Sequence, residues 1–154
     1  MLFMKKAPAG WGRSVVATAA LLLGDFSAAS ATADAHFVPE ATKIRWNGTT
    51  ATVAFLEVDV ELDANVTTIS TRVTAEVDAV CTNEESTLHI HRTASSLRTS
   101  DYLISFDGTV EGPATVPLRV QGLGVSGYTC VVEHISMTAE LEDFRTGATL
   151  THTT

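Results

Sequence analysis

Past Pro39 the chain reads as a succession of short runs in which apolar and polar residues alternate, and no stretch keeps a helical period long enough to matter. Alternation puts every second side chain on one face of an extended strand, so each run is expected to lay one face on a core and the other in water. Lys43–Trp46 and Thr49–Val53 flank Asn47-Gly48, a pair that favours positive φ at both turn positions and predicts a hairpin. The second strand is expected to continue through Leu56-Glu57-Val58-Asp59-Val60-Glu61-Leu62-Asp63, aliphatic residues on one side and the four acids on the other. Val53 and Phe55 have the opposite parity, which predicts a β-bulge near Phe55–Leu56 if a single face is to stay buried.

After a turn at Asp63-Ala64-Asn65, Ile69, Val73, Ala75, Val77, Ala79 and Cys81 share a face. Asn83–Ser86 supplies another turn, beyond which Leu88 and Ile90 are expected to point inward and His89 and His91 outward. Tyr102, Ile104 and Phe106 lead to Asp107-Gly108, a second hairpin signal. Gly112-Pro113 interrupts the chain before Val116, Leu118 and Val120, and a Gly122–Gly127 loop opens the strand of Tyr128, Cys130 and Val132. Ile135, Met137, Ala139 and Leu141 change parity, which predicts a bulge around Glu133–His134. Phe144–Gly147 turns the chain into a short last strand through Leu150, while Asp34–Thr42 reads as a lead-in without regular structure.

Seven or eight such strands separated by turn signals predict an all-β fold, an antiparallel β-sandwich in preference to a barrel. Cys81 and Cys130 both fall on inward parity, and their even count in an exported segment predicts a disulfide, placed between facing sheets. Neither belongs to a Cys-x-x-Cys pair or a Cys/His cluster, so metal-binding thiolates are disfavoured. Closing a loop of about 50 residues stabilises a fold by about 4 kcal/mol in the chain-entropy picture. Gly127-Tyr128-Thr129-Cys130 resembles the Tyr-x-Cys arrangement of the immunoglobulin tyrosine corner, which implies an immunoglobulin-like sandwich. The resemblance covers four residues, and the core tryptophan of that fold is missing after Cys81, since Trp46 precedes it.

The first residues add a compartment to this picture. Lys5, Lys6 and Arg13 precede an apolar run from Ser14 to Gly24, and Ala-x-Ala triplets follow at Ala29–Ala31, Ala31–Ala33 and Ala33–Ala35. These are the parts of a secretory signal peptide, expected to span residues 1–33 and to leave a single secreted domain, 34–154, with Asp34 or His36 at its N-terminus. Asp25 ends the apolar run at roughly half the ~20 residues a membrane span needs, so no span is expected in the mature chain. Removal of the leader takes the net charge from −8 to −10, since three cations and one anion leave. An anionic protein of this kind is a poor partner for nucleic acid and for anionic lipid.

His89-x-His91 is the sharpest chemical signal. On a strand, residues i and i+2 share a face about 7 Å apart, so two imidazoles could take one metal ion if a neighbouring strand supplied a third ligand, with His134, Glu133 and Glu84 as candidates. The plain alternative is a pair of exposed polar residues alternating with Leu88 and Ile90. His36 and His152 are expected in tails, and no His-Glu-x-x-His pattern exists. Glu57, Asp59, Glu61 and Asp63 read as a solvated acidic face, because a straight strand spreads carboxylates that Ca²⁺ would need to converge. No two acids are marked as a glycosidase pair facing across a cleft. Gly122–Gly127 matches Gly-x-Gly-x-x-Gly in form, but a strand follows where a dinucleotide site needs a helix. Ser126 lacks a nucleophile elbow. Asn47-Gly48-Thr49 and Asn65-Val66-Thr67 have the form of glycosylation acceptors. The expectation is a secreted, non-catalytic β-sandwich without a cofactor that binds a protein or cell-envelope partner, with a metal-binding protein built on His89 and His91 as the alternative.

Overall fold

A computed structural model describes residues 34–154, and the expected signal segment, 1–33, lies outside them. The strands are β1 (His36–Phe37), β2 (Lys43–Trp46), β3 (Thr50–Ala54), β4 (Leu56–Val58), β5 (Val66–Thr82), β6 (Thr87–Leu103), β7 (Val110–Glu111), β8 (Ala114–Pro117), β9 (Thr129–Asp143) and β10 (Thr149–Thr153). All pair antiparallel, in a four-stranded sheet β10-β9-β5-β6 and two three-stranded sheets, β2-β3-β8 and β1-β4-β7. The chain is an all-β sandwich. The small sheets follow one another along the same chain path, since only Phe55 separates β3 from β4 and only Gly112-Pro113 separates β7 from β8. These breaks, together with β1 in the expected lead-in, raise the strand count to ten from the expected seven or eight.

The break is built around one aromatic ring. Phe55 meets Phe37 and Tyr102 edge to face, with centroids 5.8 and 5.1 Å away. Gly112 donates its N–H to the Phe55 carbonyl (3.1 Å), and a Cβ at Gly112 would stand 2.6 Å from the Phe55 ring. Pro113 has no N–H to continue the ladder. The supposed lead-in is therefore structured: Phe37 is buried, and a 3₁₀ turn, Pro39–Ala41, follows it. Around the ring lies the core, with Val53, Val110 and Val116 from the smaller sheets and Ile69, Val73, Met137 and Leu141 from the larger one.

Parity held along β5, whose Ile69, Val73, Ala75, Val77, Ala79 and Cys81 are all buried. Asn47-Gly48 makes its hairpin, with Gly48 at φ 93° and the Asn47 Oδ1 accepting the N–H groups of Thr49 and Thr50. The second expected bulge is present: the β5–β9 register shifts between Asp78 and Ala79, leaving Glu133 without an opposite residue. The first is not. Ala51, Val53, Phe55 and Glu57 are all buried, so alternation runs straight through Phe55 and carries Glu57 into the interior. The parity changes instead at Asp59, at φ 58°, after which Val60 is buried. Asp107-Gly108 makes a tight turn, but β6 and β7 are not ladder partners, and the turn carries the chain from one sheet to another.

The disulfide joins Cys81 to Cys130, directly opposite each other on neighbouring strands β5 and β9. It lies within one sheet and does not bridge two. Inward parity is equally satisfied by a neighbour and by a facing strand, and the β5–β9 pairing decides for the neighbour. Tyr128 hydrogen-bonds through its hydroxyl to Ser86 Oγ (2.7 Å) at the β5–β6 turn, so its role here is to pin that turn.

Candidate functional site

Strands β6, β5 and β9 lie side by side, and their registers place His91 opposite Asp78 and Asp78 opposite His134. Residues directly opposite share a face, so the three form one row across the sheet. His89 stands two residues along β6 from His91, on the same outer face. His89, His91, Glu133 and His134 are exposed, and together with Asp78 they line an open depression of ≈ 330 Å³. His91 donates through Nδ1 to Asp78 Oδ1 (2.7 Å), which leaves its Nε2 as the acceptor nitrogen, with Thr93 Oγ1 at 3.4 Å.

Of the ligands expected from sequence, the fold thus brings together His89, His91, His134 and Glu133. Glu84 sits in the β5–β6 turn and does not line the depression. His36 and His152 are on strands β1 and β10, not in tails. Asp78 was missed, because its place depends on strand pairing. As the side chains stand, no three His, Cys, Asp or Glu groups among the described residues converge to hold a metal ion.

A second cluster lies inside the sandwich. Glu57 and Asp143 are fully buried and within hydrogen-bonding reach of each other. Asp143 accepts from the Thr67 hydroxyl (2.7 Å to each oxygen) and from the N–H groups of Arg145 (2.8 Å) and Thr146 (3.1 Å), which fixes the β9–β10 turn. Glu57 Oε1 accepts from Thr146 Oγ1 (2.8 Å), whereas Oε2 has no donor. Burial, and then the facing Asp143, push the Glu57 carboxyl up to about 7 against the opposing pull of the Thr146 hydroxyl and Arg145. With the Asp143 oxygens already supplied with donors, a proton on Glu57 Oε2 completes the set. Two enclosed carboxyls do not face across a cleft, so the place of this pair is structural.

Close to it opens a cavity of ≈ 550 Å³ lined by Asp34, Asp59, Glu61, Asp63, Arg145 and Thr146, among others. Arg145 pairs with Asp63 and donates to the Glu61 carbonyl. Three of the four acids expected on a solvated face are exposed here, and the fourth, Glu57, is buried. The signal that could have found it was the unbroken Val53, Phe55, Glu57 parity.

Fold and sites together define an antiparallel all-β protein with one intra-sheet disulfide, a histidine row on one face and a buried acid pair. No family model, curated protein or solved structure matches the chain.

Proposed function

We propose that the chain is exported and acts as a non-catalytic binding module that engages a protein or cell-envelope partner through the end of the sandwich where β5 begins. The observation that carries this reading is that the two most exposed large apolar side chains among the described residues lie there, with three more beside them. Phe106 is 93% and Leu103 76% exposed, and Leu62, Val66 and Phe144 are exposed as well. Hydrogen bonds tie their segments together. Val66 and Leu103 are direct cross-strand partners, and Phe144 donates its N–H to the Thr68 carbonyl (3.0 Å). Val60 donates to the Gly108 carbonyl (2.9 Å), which holds the Phe106 turn beside the segment carrying Leu62. Apolar groups gathered at one end of a soluble fold mark an interaction surface. The acids beside them, Glu61, Asp63 and Asp107, favour a partner with an apolar centre and a basic rim.

Export is supported by the leader pattern and by the disulfide, which persists in oxidising compartments. No helix among the described residues is long and apolar enough to cross a membrane. Mass spectrometry of protein recovered from culture medium should find Asp34 or His36 at the N-terminus, and a full-length chain held in the cytosol would overturn export. For binding, the native protein and a Leu103→Ser/Phe106→Ser variant are immobilised and exposed to the envelope fraction of the source cells. The reading requires a component retained by the native protein and lost by the equally stable variant. Equal retention by both would remove this surface from consideration.

A further inference from the structure

We propose that His89, His91 and His134 bind one divalent transition-metal ion on the outer face of the four-stranded sheet. The site does not depend on the apolar end of the sandwich and stands or falls separately from it. Its origin is the β-bulge. Up to Ala79 the β5–β9 register pairs Cys81 with Cys130 and Ala79 with Val132, and unbroken it would set Glu133 opposite Asp78. The extra residue moves Glu133 out of the ladder and puts His134 into the row with Asp78 and His91. Bulges re-aim side chains in this way beside functional sites. Three of the five histidines in the chain thereby surround one depression.

The chemistry of the set selects the ion. Imidazole nitrogens suit Zn²⁺, Cu²⁺ and Ni²⁺, whereas Ca²⁺ and Mg²⁺ require oxygen cages. His91 Nδ1 donates to Asp78 and Nε2 lies beside Thr93 Oγ1 (3.4 Å), so His91 has to turn away from Asp78 to join His89 and His134 on the ion. The Cys81–Cys130 bond lies three residue pairs from Asp78 and His134, so the strand pair carrying them is clamped in register. Open solvent reaches the row from the side of β9, because β10 pairs with β9 only between Thr138 and Glu142. The imidazoles do not converge as they stand, and rotation of exposed side chains must bring them onto the ion. That ordering cost makes the affinity lower than that of preformed zinc centres.

Isothermal titration of the folded protein with ZnCl₂ or NiCl₂ tests the site, alongside His91→Ala, His134→Ala, Asp78→Asn and His152→Ala. The native protein and His152→Ala should bind one ion per chain with equal affinity. His91→Ala and His134→Ala should each weaken binding at least about tenfold, and Asp78→Asn should keep the stoichiometry of one ion. Metal should raise the unfolding midpoint of the native protein more than that of His134→Ala, while the metal-free midpoints of the two agree. Affinity unaltered in His134→Ala would overturn the three-strand site in favour of simple chelation by the β6 pair. Absence of saturable binding, or tighter binding of CaCl₂, would overturn the proposal outright.

Discussion

Replacing Glu57 by Gln should abolish a pH dependence of stability that the fold builds in. The Glu57 carboxyl stands at about 7 in the folded protein against an ordinary 4.5, because it is buried and faces Asp143. Between those two values the native state holds a proton that the unfolded chain has released. Stability from this group is therefore fully present below pH 4.5 and is lost as pH rises through 7. A pKa difference of one is worth about 1.4 kcal/mol, so the interval amounts to about 3 kcal/mol, mostly lost by pH 8. Gln cannot ionise, yet its amide can donate to Asp143 and its carbonyl can accept from Thr146. Urea unfolding of both proteins should give equal stabilities near pH 4.5 and a variant about 3 kcal/mol more stable at pH 8. The difference between the two curves isolates Glu57, because every other acid is the same in both proteins. Parallel curves across the range would show that Glu57 is not the group holding the proton, and the assignment of the buried pair would fall.

Three further outcomes are expected. Thiol titration of denatured, unreduced protein should find no free thiol, and the Cys81→Ser/Cys130→Ser variant should unfold about 4 kcal/mol more readily. Ile90→Ala should cost about 2–5 kcal/mol in chemical denaturation, whereas the exposed His89→Ala/His91→Ala pair without metal should stay within about 0.5 kcal/mol; equal losses would mean that the β6 parity is wrong. Gly112→Ala should destabilise by about 1–3 kcal/mol because its methyl would strike the Phe55 ring, and pairing it with Phe55→Leu should recover part of that loss; a neutral Gly112→Ala would refute the close contact.

The alternation along β5 was readable because that strand buries one face from end to end, and the bulge at Glu133 was readable because the apolar parity changes there. Glu57 was misread for a physical reason. Leu56 and Val58 offer a locally better apolar face, and only the Phe37 and Tyr102 rings, distant in sequence, hold Phe55 and with it Glu57 inside. The Asp107-Gly108 turn was legible as a turn, but which sheet receives the outgoing strand depends on β4, its ladder partner. The histidine row shows the same division. His89 and His91 share a face by strand geometry alone, while Asp78 and His134 join them only through registers across two strand boundaries. Leu88 followed its parity less well than Ile90: at the end of the ribbon, too little lies above it to cover it.

The disulfide sits in the smaller of two packing clusters. Cys81 belongs to a small cluster with Ala79 and Ile90, covered by Leu123, Val125, Tyr128 and Cys130, and separate from the main core around Phe55. The crosslink therefore fastens the far tip of the β5–β6–β9 ribbon, apart from the main core. In a reducing medium the tip should fray first. Amide hydrogens near Ala79, Cys81 and Ile90 should exchange at a rate set by this local opening, while those of Val53, Val73 and Leu141 wait for global unfolding. A reductant would act first on this tip, ahead of the sandwich body.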